Sequence, residues 1–495
     1  MKLRALLIKP NIVSRRGFDM LNKMTPPLGL GYIASALLAA GHEVKILDMV
    51  AEGAGRMWDY GASHTCHGLT DDDLLDVCRA FAPDVVGVTG FTTQHSRIVE
   101  IISAVKIALP GVITVLGGVH VTSIPEMVME CSGADYALLG DAEESIVGLF
   151  EAVSPGNAQA LERIGGLARR VDGGIAVNPL NARGLDIGGI RPPARQLLPN
   201  EAYIRHGIPM PVITSRGCPY SCAFCCVHVS RGRSYYYRDP ASVVDEIESV
   251  VRDYGYGTVS IFDDAFNVIP ERVIAICKEI KNRRLGIRLV LPSSLIISRL
   301  TRETLFWLKE AGCVSVALPF EHVDEKIRNS VINKNLPSSR FEEVLEWCRD
   351  VGLLAVVNFV LGMPGETEET LRAIVDYVGK NAFRMDGVAS YIATPFPGTP
   401  FYRECEEKGY LDRAAPFLEY DLYGSVIDTP WITGRVVEKY KTEIDSAFKR
   451  AREGLFDENI VRRAIRKSDK EAMAYVNSYY FEKRNQEWDK RAEIR

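Results

Sequence analysis

Several absences limit this sequence before any motif is considered. Its 495 residues contain no run of eighteen apolar side chains, so no segment is expected to cross a membrane as a helix. The opening stretch 1–9 has too short an apolar run for a signal peptide, and no small-residue cleavage site follows it. It reads as a first buried strand, in a protein expected in the cytoplasm. Basic residues do not outnumber acidic ones, and a net charge of −5 argues against general nucleic-acid binding. There is no disulfide framework either. The eleven cysteines are an odd number, and Cys78, Cys277, Cys313 and Cys348 sit singly in apolar periodic segments, where they read as small core residues. The one cluster lies at 218–226, which fits a reduced compartment and one metal site.

The length exceeds one ordinary core, and the rhythm of the chain divides it. Over 1–153, strand-like segments at 3–9, 43–48, 84–89, 111–116 and 134–138 alternate with helical ones at 28–40, 70–81, 95–108, after Pro125 and at 141–153. That alternation predicts an α/β unit, a Rossmann-like (flavodoxin-like) open parallel sheet with helices on both faces. Ligands of such sheets bind at the carboxyl ends of the strands. Residues 154–205 are rich in Gly and Pro and read as a linker with one small hairpin. Across 206–405 the alternation returns, with strands at 210–215, 258–263, 287–292, 314–319, 354–361 and 386–392, which predicts a partial (β/α)6 barrel. Residues 406–495 read as a helical, charged C-terminal region ending in a solvated stretch, 481–495.

The chemistry lies in Ser215-Arg216-Gly217-Cys218-Pro219-Tyr220-Ser221-Cys222-Ala223-Phe224-Cys225-Cys226, just after the first barrel strand. Three thiolates at this spacing wrap one corner of a cubane. A four-iron cluster normally takes four Cys ligands, so three leave one iron open to a small molecule. The competing reading is zinc, with Cys226 or His228 as fourth ligand. Zinc ligands more often come as two separated Cys-x-x-Cys pairs, and no second pair exists. Cys226 is therefore read as a non-ligand.

With Phe224 before its last cysteine, this motif resembles that of the radical S-adenosylmethionine (SAM) superfamily. The resemblance implies a [4Fe-4S] cluster on Cys218, Cys222 and Cys225 that cleaves SAM reductively. Other segments are similar in order and spacing. Asp263 and Asp264, ending the second strand, match the part that contacts the SAM amino group. Glu321, ending the fourth, matches a Glu-Ser pair, with His322 here in place of Ser. Gly362 and Pro364 lie in the Gly362-Met363-Pro364-Gly365-Glu366-Thr367 turn that borders the adenine. Phe224 completes this SAM set. Thr394-Pro395-Phe396-Pro397-Gly398-Thr399-Pro400 matches the segment after the sixth strand.

The first unit resembles the cobalamin-binding domain of the cobalamin-dependent radical SAM family, the branch of class B methyltransferases and anaerobic cyclases. The matching residues are Pro27 and Leu28, Thr89, Gly117, Gly118 and His120, then Gly140 and Glu143. Paired glycines let a bulky ligand approach the backbone. The string Asp-x-His-x-x-Gly is absent, so a cobalt without that lower His ligand is expected. His64, Cys66 and His67 form a second cluster, placed in a loop before a helix that Thr70 would cap.

By resemblance, the leading expectation is a methyltransferase acting on an unactivated carbon or on phosphorus of a small molecule or lipid. One SAM would yield the radical that abstracts hydrogen, and another would remethylate cobalamin. Cyclisation, rearrangement or hydroxylation without methyl transfer is the alternative. A sensor would need an output module, and none is visible. A methylthiotransferase would need three further N-terminal cysteines, for which Cys66, Cys78 and Cys131 are the only candidates. The expected partner is an external one-electron donor such as flavodoxin or ferredoxin. The substrate is expected between the two units and the tail, where Tyr235-Tyr236-Tyr237, Tyr391, Phe396 and Tyr402 would line it or serve packing.

Overall fold

The computed structural model describes residues 2–17, 24–153, 158–180, 187–453, 460–461 and 470–492. The first sheet runs, in spatial order, Glu43–Asp48, Arg4–Lys9, Val85–Thr89, Ile113–Gly117 and Tyr136–Leu138, all parallel. The chain reverses its direction of travel at Arg4–Lys9, so a crevice forms beyond the carboxyl ends of that strand and Val85–Thr89. Burial on both faces explains the near-continuous apolar runs: Leu6, Ile8, Val86 and Val88 face one side, Leu7, Val85 and Val115 the other. Helix Asp71–Phe81 starts where its capping box dictates, with Thr70 and Asp73 each accepting the other's backbone N–H.

Two parts of this region differ from the sequence reading. The stretch 154–205 is not merely a linker, although 154–157 and 181–186 lie outside the described residues. Its hairpin, Leu167–Val171 and Gly174–Val177, pairs antiparallel with Tyr136–Leu138 and extends the first sheet by two strands. Beyond it, Arg195 is buried and reaches both Pro211 O at 2.8 Å and Glu246 at 2.7 Å, while Tyr203 donates to Asp48 at 2.6 Å. These contacts stitch the two sheets together through side chains that sequence periodicity cannot pair. The second difference is a three-stranded antiparallel sheet, in the order Ile12–Arg15, His64–His67, Met57–Tyr60. His64, Cys66 and His67 therefore lie on a central strand, not in a loop. Cys66 is fully buried, His67 bonds Ser14 and His64 faces Glu419.

The second sheet is six parallel strands in sequence order: Met210–Val212, Thr258–Ile261, Arg288–Leu291, Cys313–Glu321, Leu354–Leu361 and Gly387–Ile392. First and last strands do not pair, so the barrel stays open on one side. The first strand stops at Val212. Ser215–Arg216 leaves it to pair with Tyr236–Tyr237, which places those tyrosines on a small ribbon. Cys277, Cys313 and Cys348 are buried here, and Cys78 in the first unit, all as core residues. No helix among the described residues is long and apolar enough to cross a membrane.

Helix Gly434–Ala451 packs on the last barrel strand and on helix Glu368–Asn381. The tail is not solvated as expected. Tyr480, Arg484 and Trp488 recur every four residues and form a buried stripe, although residues 493–495 lie outside the description. Arg484 meets Asp386 at 2.8 Å, Tyr480 donates to the same carboxylate at 2.5 Å, and Trp488 packs on Phe383. The charge-rich composition conceals this stripe. Removing one partner of such a buried pair leaves the other charge uncompensated. Arg484→Ala is therefore expected to cost roughly 3 kcal/mol, read from urea unfolding midpoints.

Candidate active site

The cysteine loop leaves the barrel's carboxyl rim in a conformation that only glycine permits at its start. Gly217 has φ +84, and a Cβ there would lie 2.0 Å from Ser234 O. Its N–H donates to Asp264 at 2.7 Å. Further along, Ala223 N–H reaches Ile332 O at 2.9 Å, Ala223 O accepts from Phe401 N–H at 3.1 Å, and Asn333 Nδ2 reaches Ser221 O at 3.1 Å. Cys218, Cys222, Cys225 and Cys226 are all free and half-buried. Burial pushes each of these thiols up, Cys225 to about 12. Such thiols surrender their protons when a metal takes their place. Among the described residues no three Cys, His, Asp or Glu side chains gather round a single ion. His228 turns Nε2 toward Cys222 O at 3.4 Å, and its Nδ1 is buried with no hydrogen-bond partner among the described residues. The loop offers three soft, desolvated sulfur donors within eight residues, a donor set that fits the cluster.

The two aspartates anchor this loop. Asp263, 4% exposed, accepts from Thr214 N at 2.6 Å, Thr214 Oγ1 at 2.5 Å and Ser215 Oγ at 2.6 Å. Both its oxygens accept from the end of the first strand, which they anchor. Asp264 accepts from Gly217 N–H and, at 2.8 Å, from Arg231. Phe262, between them and the barrel, is the exposed member of the segment and lines the barrel cavity. Phe224 packs in an apolar cluster with Phe396 and Phe401.

At the fourth strand end, Glu321 has φ +70 beside a register shift and pairs with Lys334 at 2.7 Å. Burial opposes the Lys334 charge, but Glu321 and Cys222 outweigh it and hold its pKa up. At the fifth strand end, Gly362 has φ +93, and fully buried Glu366 accepts from Gly362 N and Met363 N, both at 3.0 Å. The chain from Gly362 through Pro364 is thereby pinned as a tight turn. Burial pushes Glu366 up to about 8 and its neighbour His322, 4.0 Å away, down to about 4.

The first unit meets the loop through ions. Arg231, on the short helix Val227–Arg231 after the cysteines, holds Asp141 at 2.9 Å and Asp264 at 2.8 Å. Arg216 holds Glu143 at 2.6 Å and Asp141 at 3.2 Å. Burial alone would raise Asp141, yet the two guanidiniums overcome it and keep it below the usual carboxylate range. Glu143 is thus held by Arg216 through one oxygen, while its Oε2 is buried with no hydrogen-bond partner among the described residues. Gly140, φ +69, backs onto Ser230 O. A Cβ on Gly118 would lie 2.7 Å from Thr89 Oγ1, so these strand ends approach closely. Thr89, Gly117 and Gly118 remain half-buried, with exposed Phe91 beside them, an accessible edge that fits a bulky cofactor. Pro27 and Leu28 begin helix Leu28–Ala39, next to Pro26 at the barrel cavity. His120 is fully buried. It bonds His95 at 3.0 Å under Phe417, burial lowers it to about 3, and its Nδ1 has no hydrogen-bond partner among the described residues. Arg216, Arg231, Asn333 and Lys334 escaped the sequence reading because their partners lie up to 112 residues away.

Between the two units and helix Gly434–Ala451 lies a cavity of about 810 Å³ inside the open barrel. Tyr391 lines it. Tyr236 and Tyr237 do not, being strand-edge residues, and Arg272 lies 5.5 Å from the Tyr237 ring centre.

Fold and site together define a two-cofactor enzyme, a cluster-binding partial barrel joined to a flavodoxin-like cofactor domain. The chain belongs to the radical SAM superfamily, in the branch with a B12 binding domain: the superfamily model matches residues 212–378 and the B12 binding domain model residues 21–150. It is accordingly an enzyme of a [4Fe-4S] cluster, SAM and cobalamin. An uncharacterised methyltransferase of Pyrococcus horikoshii is 30% identical over 376 residues, covering 76% of this chain and 77% of that one. Cytidylyl-2-hydroxyethylphosphonate methyltransferase of Streptomyces wedmorensis is 27% identical over 466 residues, 86% of each chain. The fold matches the radical SAM methyltransferase TsrM of Kitasatospora setae with a TM-score of 0.72 at 20% identity, over 99% of this chain and 100% of that one.

Two measurements follow from this geometry. Arg231→Ala should destabilise the chain by about 2 kcal/mol, between the surface and buried limits for ion pairs, and should speed iron loss on desalting. Glu366 keeps its proton to about pH 8 when folded but only to about 4.5 when free, so the stability it contributes falls as pH rises between those values. His322 acts oppositely, but only below its ordinary 6.5. Glu366→Gln is therefore expected to flatten the decline in urea midpoint between about pH 6.5 and 8.

Proposed function

We infer that this enzyme transfers a methyl group to an unactivated carbon, or to phosphorus, of a small polar molecule. The observation that carries the reading is the ion-pair layer itself. The last turn of the cobalamin-type sheet, through Asp141 and Glu143, is bonded to the arginines that flank the cysteine loop. A methyl carrier on the first unit and a radical source on the second would thus open onto one shared space. The methyltransferase relatives, aligned over most of both chains, support the same reading.

When bound, the cluster with SAM would supply the hydrogen-abstracting radical, and cobalamin the methyl group. Cys218, Cys222 and Cys225 would hold the cluster, with Phe224 packed behind it. Glu321, Gly362 and Pro364 would shape the SAM site, and Thr89, Gly117 and Gly118 the cobalamin edge. Asp264 and Arg231 fix the loop, and the open side of the barrel admits substrate. A one-electron donor such as flavodoxin or ferredoxin and a cytoplasmic location belong to this proposal.

The test is anaerobic turnover with methyl-labelled SAM and a pool of candidate small molecules. The expected product carries the label and is about one methyl group heavier, with 5′-deoxyadenosine formed alongside. A product of unchanged carbon count would replace methyl transfer with ring closure or rearrangement.

A further inference from the structure

The C-terminal region sends one segment, residues 417–424, across the seam between the two spaces that the reaction needs. At its start, Phe417 packs edge-on against the rings of His95 and His120, with centres 5.1 and 5.2 Å away. Those histidines follow the carboxyl ends of strands Val85–Thr89 and Ile113–Gly117, beside the edge formed by Thr89, Gly117 and Gly118. At the other end, Tyr423 lines the barrel cavity, and Leu422 O accepts from Ile392 N at 2.9 Å at the tip of the sixth barrel strand. Between these ends, buried Tyr420 is rooted in the apolar cluster that also holds Phe224 of the cysteine loop. The segment borders the cobalamin edge without filling it, since Thr89, Gly117 and Gly118 stay half-buried and Phe91 stays exposed.

One side chain fastens this segment to the first unit. Arg15, at the end of strand Ile12–Arg15, bonds Glu419 at 2.7 Å and Asp421 at 3.1 Å. The other oxygen of Asp421 accepts from Tyr423 N at 2.8 Å and Gly424 N at 3.0 Å, so the same carboxylate closes the turn that carries Leu422. Leu422 has φ +70, a conformation that a side chain of its size adopts only where its surroundings hold it. A Cβ on Gly424 would lie 1.9 Å from Arg15 Nη2, so the guanidinium occupies the space that any side chain there would need. His64 adds Nε2 at 3.4 Å from Glu419. These ion pairs are partly exposed, and such pairs are weak enough to open, while a planar fork on two carboxylates fixes the closed position.

Resting on the reading of that strand-end edge as the cobalamin site, we propose that residues 417–424 form a strap that closes beside bound cobalamin, with Arg15 as its latch. Arg15 is then a positioning residue that sets how fast the cofactor exchanges. While it holds, Phe417 stays at the cobalamin edge and Tyr423 at the cavity wall. When it lets go, the strap lifts and cobalamin leaves.

The experiment loads the reconstituted enzyme with hydroxocobalamin and chases it with excess cyanocobalamin, reading the bound corrinoid from its absorbance after desalting. Arg15→Gln is expected to speed exchange about tenfold, the factor that loss of two partly exposed ion pairs allows. Arg15→Lys, which keeps the charge without the fork, should fall between. Gly424→Ala, which displaces the guanidinium and leaves its charge, should match Arg15→Gln. Iron content and melting temperature confirm that each variant is folded with its cluster, and Glu419→Gln carries the test if Gly424→Ala is not. An unchanged exchange rate in Arg15→Gln, or rates that follow melting temperature alone across the variants, overturns the proposal. Gly117→Leu tests the edge separately, because a Cβ there meets only Leu138 O at 3.8 Å and the added side chain covers the strand end. If folded Gly117→Leu binds no cobalamin while Arg15→Gln exchanges at the wild-type rate, the edge reading stands and the strap falls. If Gly117→Leu binds cobalamin unchanged, the edge reading falls and takes the strap with it.

Discussion

The guanidinium of Arg231 is the contact on which the rest of the site depends. It sits at the end of the cysteine loop, and its partner Asp264 receives the N–H of Gly217 at the loop's beginning, so one ion pair closes the loop on itself. Its other partner, Asp141, belongs to the last turn of the first sheet. The loop that would carry the cluster and the sheet that would carry the corrin are therefore located by the same group. Arg216 repeats the connection one layer deeper through Glu143. Paired guanidiniums suit this task because a planar fork fixes direction as well as distance.

Around that layer, burial sets the chemistry of each position. The cysteine thiols are desolvated and await a metal. Asp263 is consumed in holding the first strand end. Glu366 accepts from the two backbone N–H groups of the turn after the fifth strand. Asp263 and Glu366 are buried carboxyl groups with both oxygens bonded locally, and each fixes the strand end it bonds. The C-terminal region contributes as much as the two named domains. Its helix Gly434–Ala451 walls the barrel's open side, and Phe417 covers the His95–His120 pair at the first sheet. Arg15 ties the same segment, through Glu419 and Asp421, to the small antiparallel sheet.

What was legible in the sequence was what depends on neighbours along the chain. Five strands of the first sheet and six of the barrel follow from short apolar runs between helical periods, because a strand buried on both faces has no other way to read. The helix start at Thr70 follows from capping chemistry. The cysteine spacing announces its own metal chemistry, since three soft donors within eight residues have few structural uses. The hairpin at 167–177 was legible as a hairpin, but not as an extension of the first sheet.

What only the tertiary structure decided was which partners distant residues find. The aspartates after the second strand looked alike in sequence, yet Asp263 is spent on Thr214 and Ser215 while Asp264 joins the ionic layer. Glu143 finds Arg216 and His120 lies under Phe417, partners that the local sequence of neither residue announces. The tail looked solvated because charge dominates its composition, while three residues at helical spacing carry its burial. Local sequence fixes backbone propensity and short-range caps. An ion pair, a buried hydrogen bond or a cavity wall forms only when segments far apart in the chain are packed to within a few ångströms, and no pattern along the chain encodes that distance.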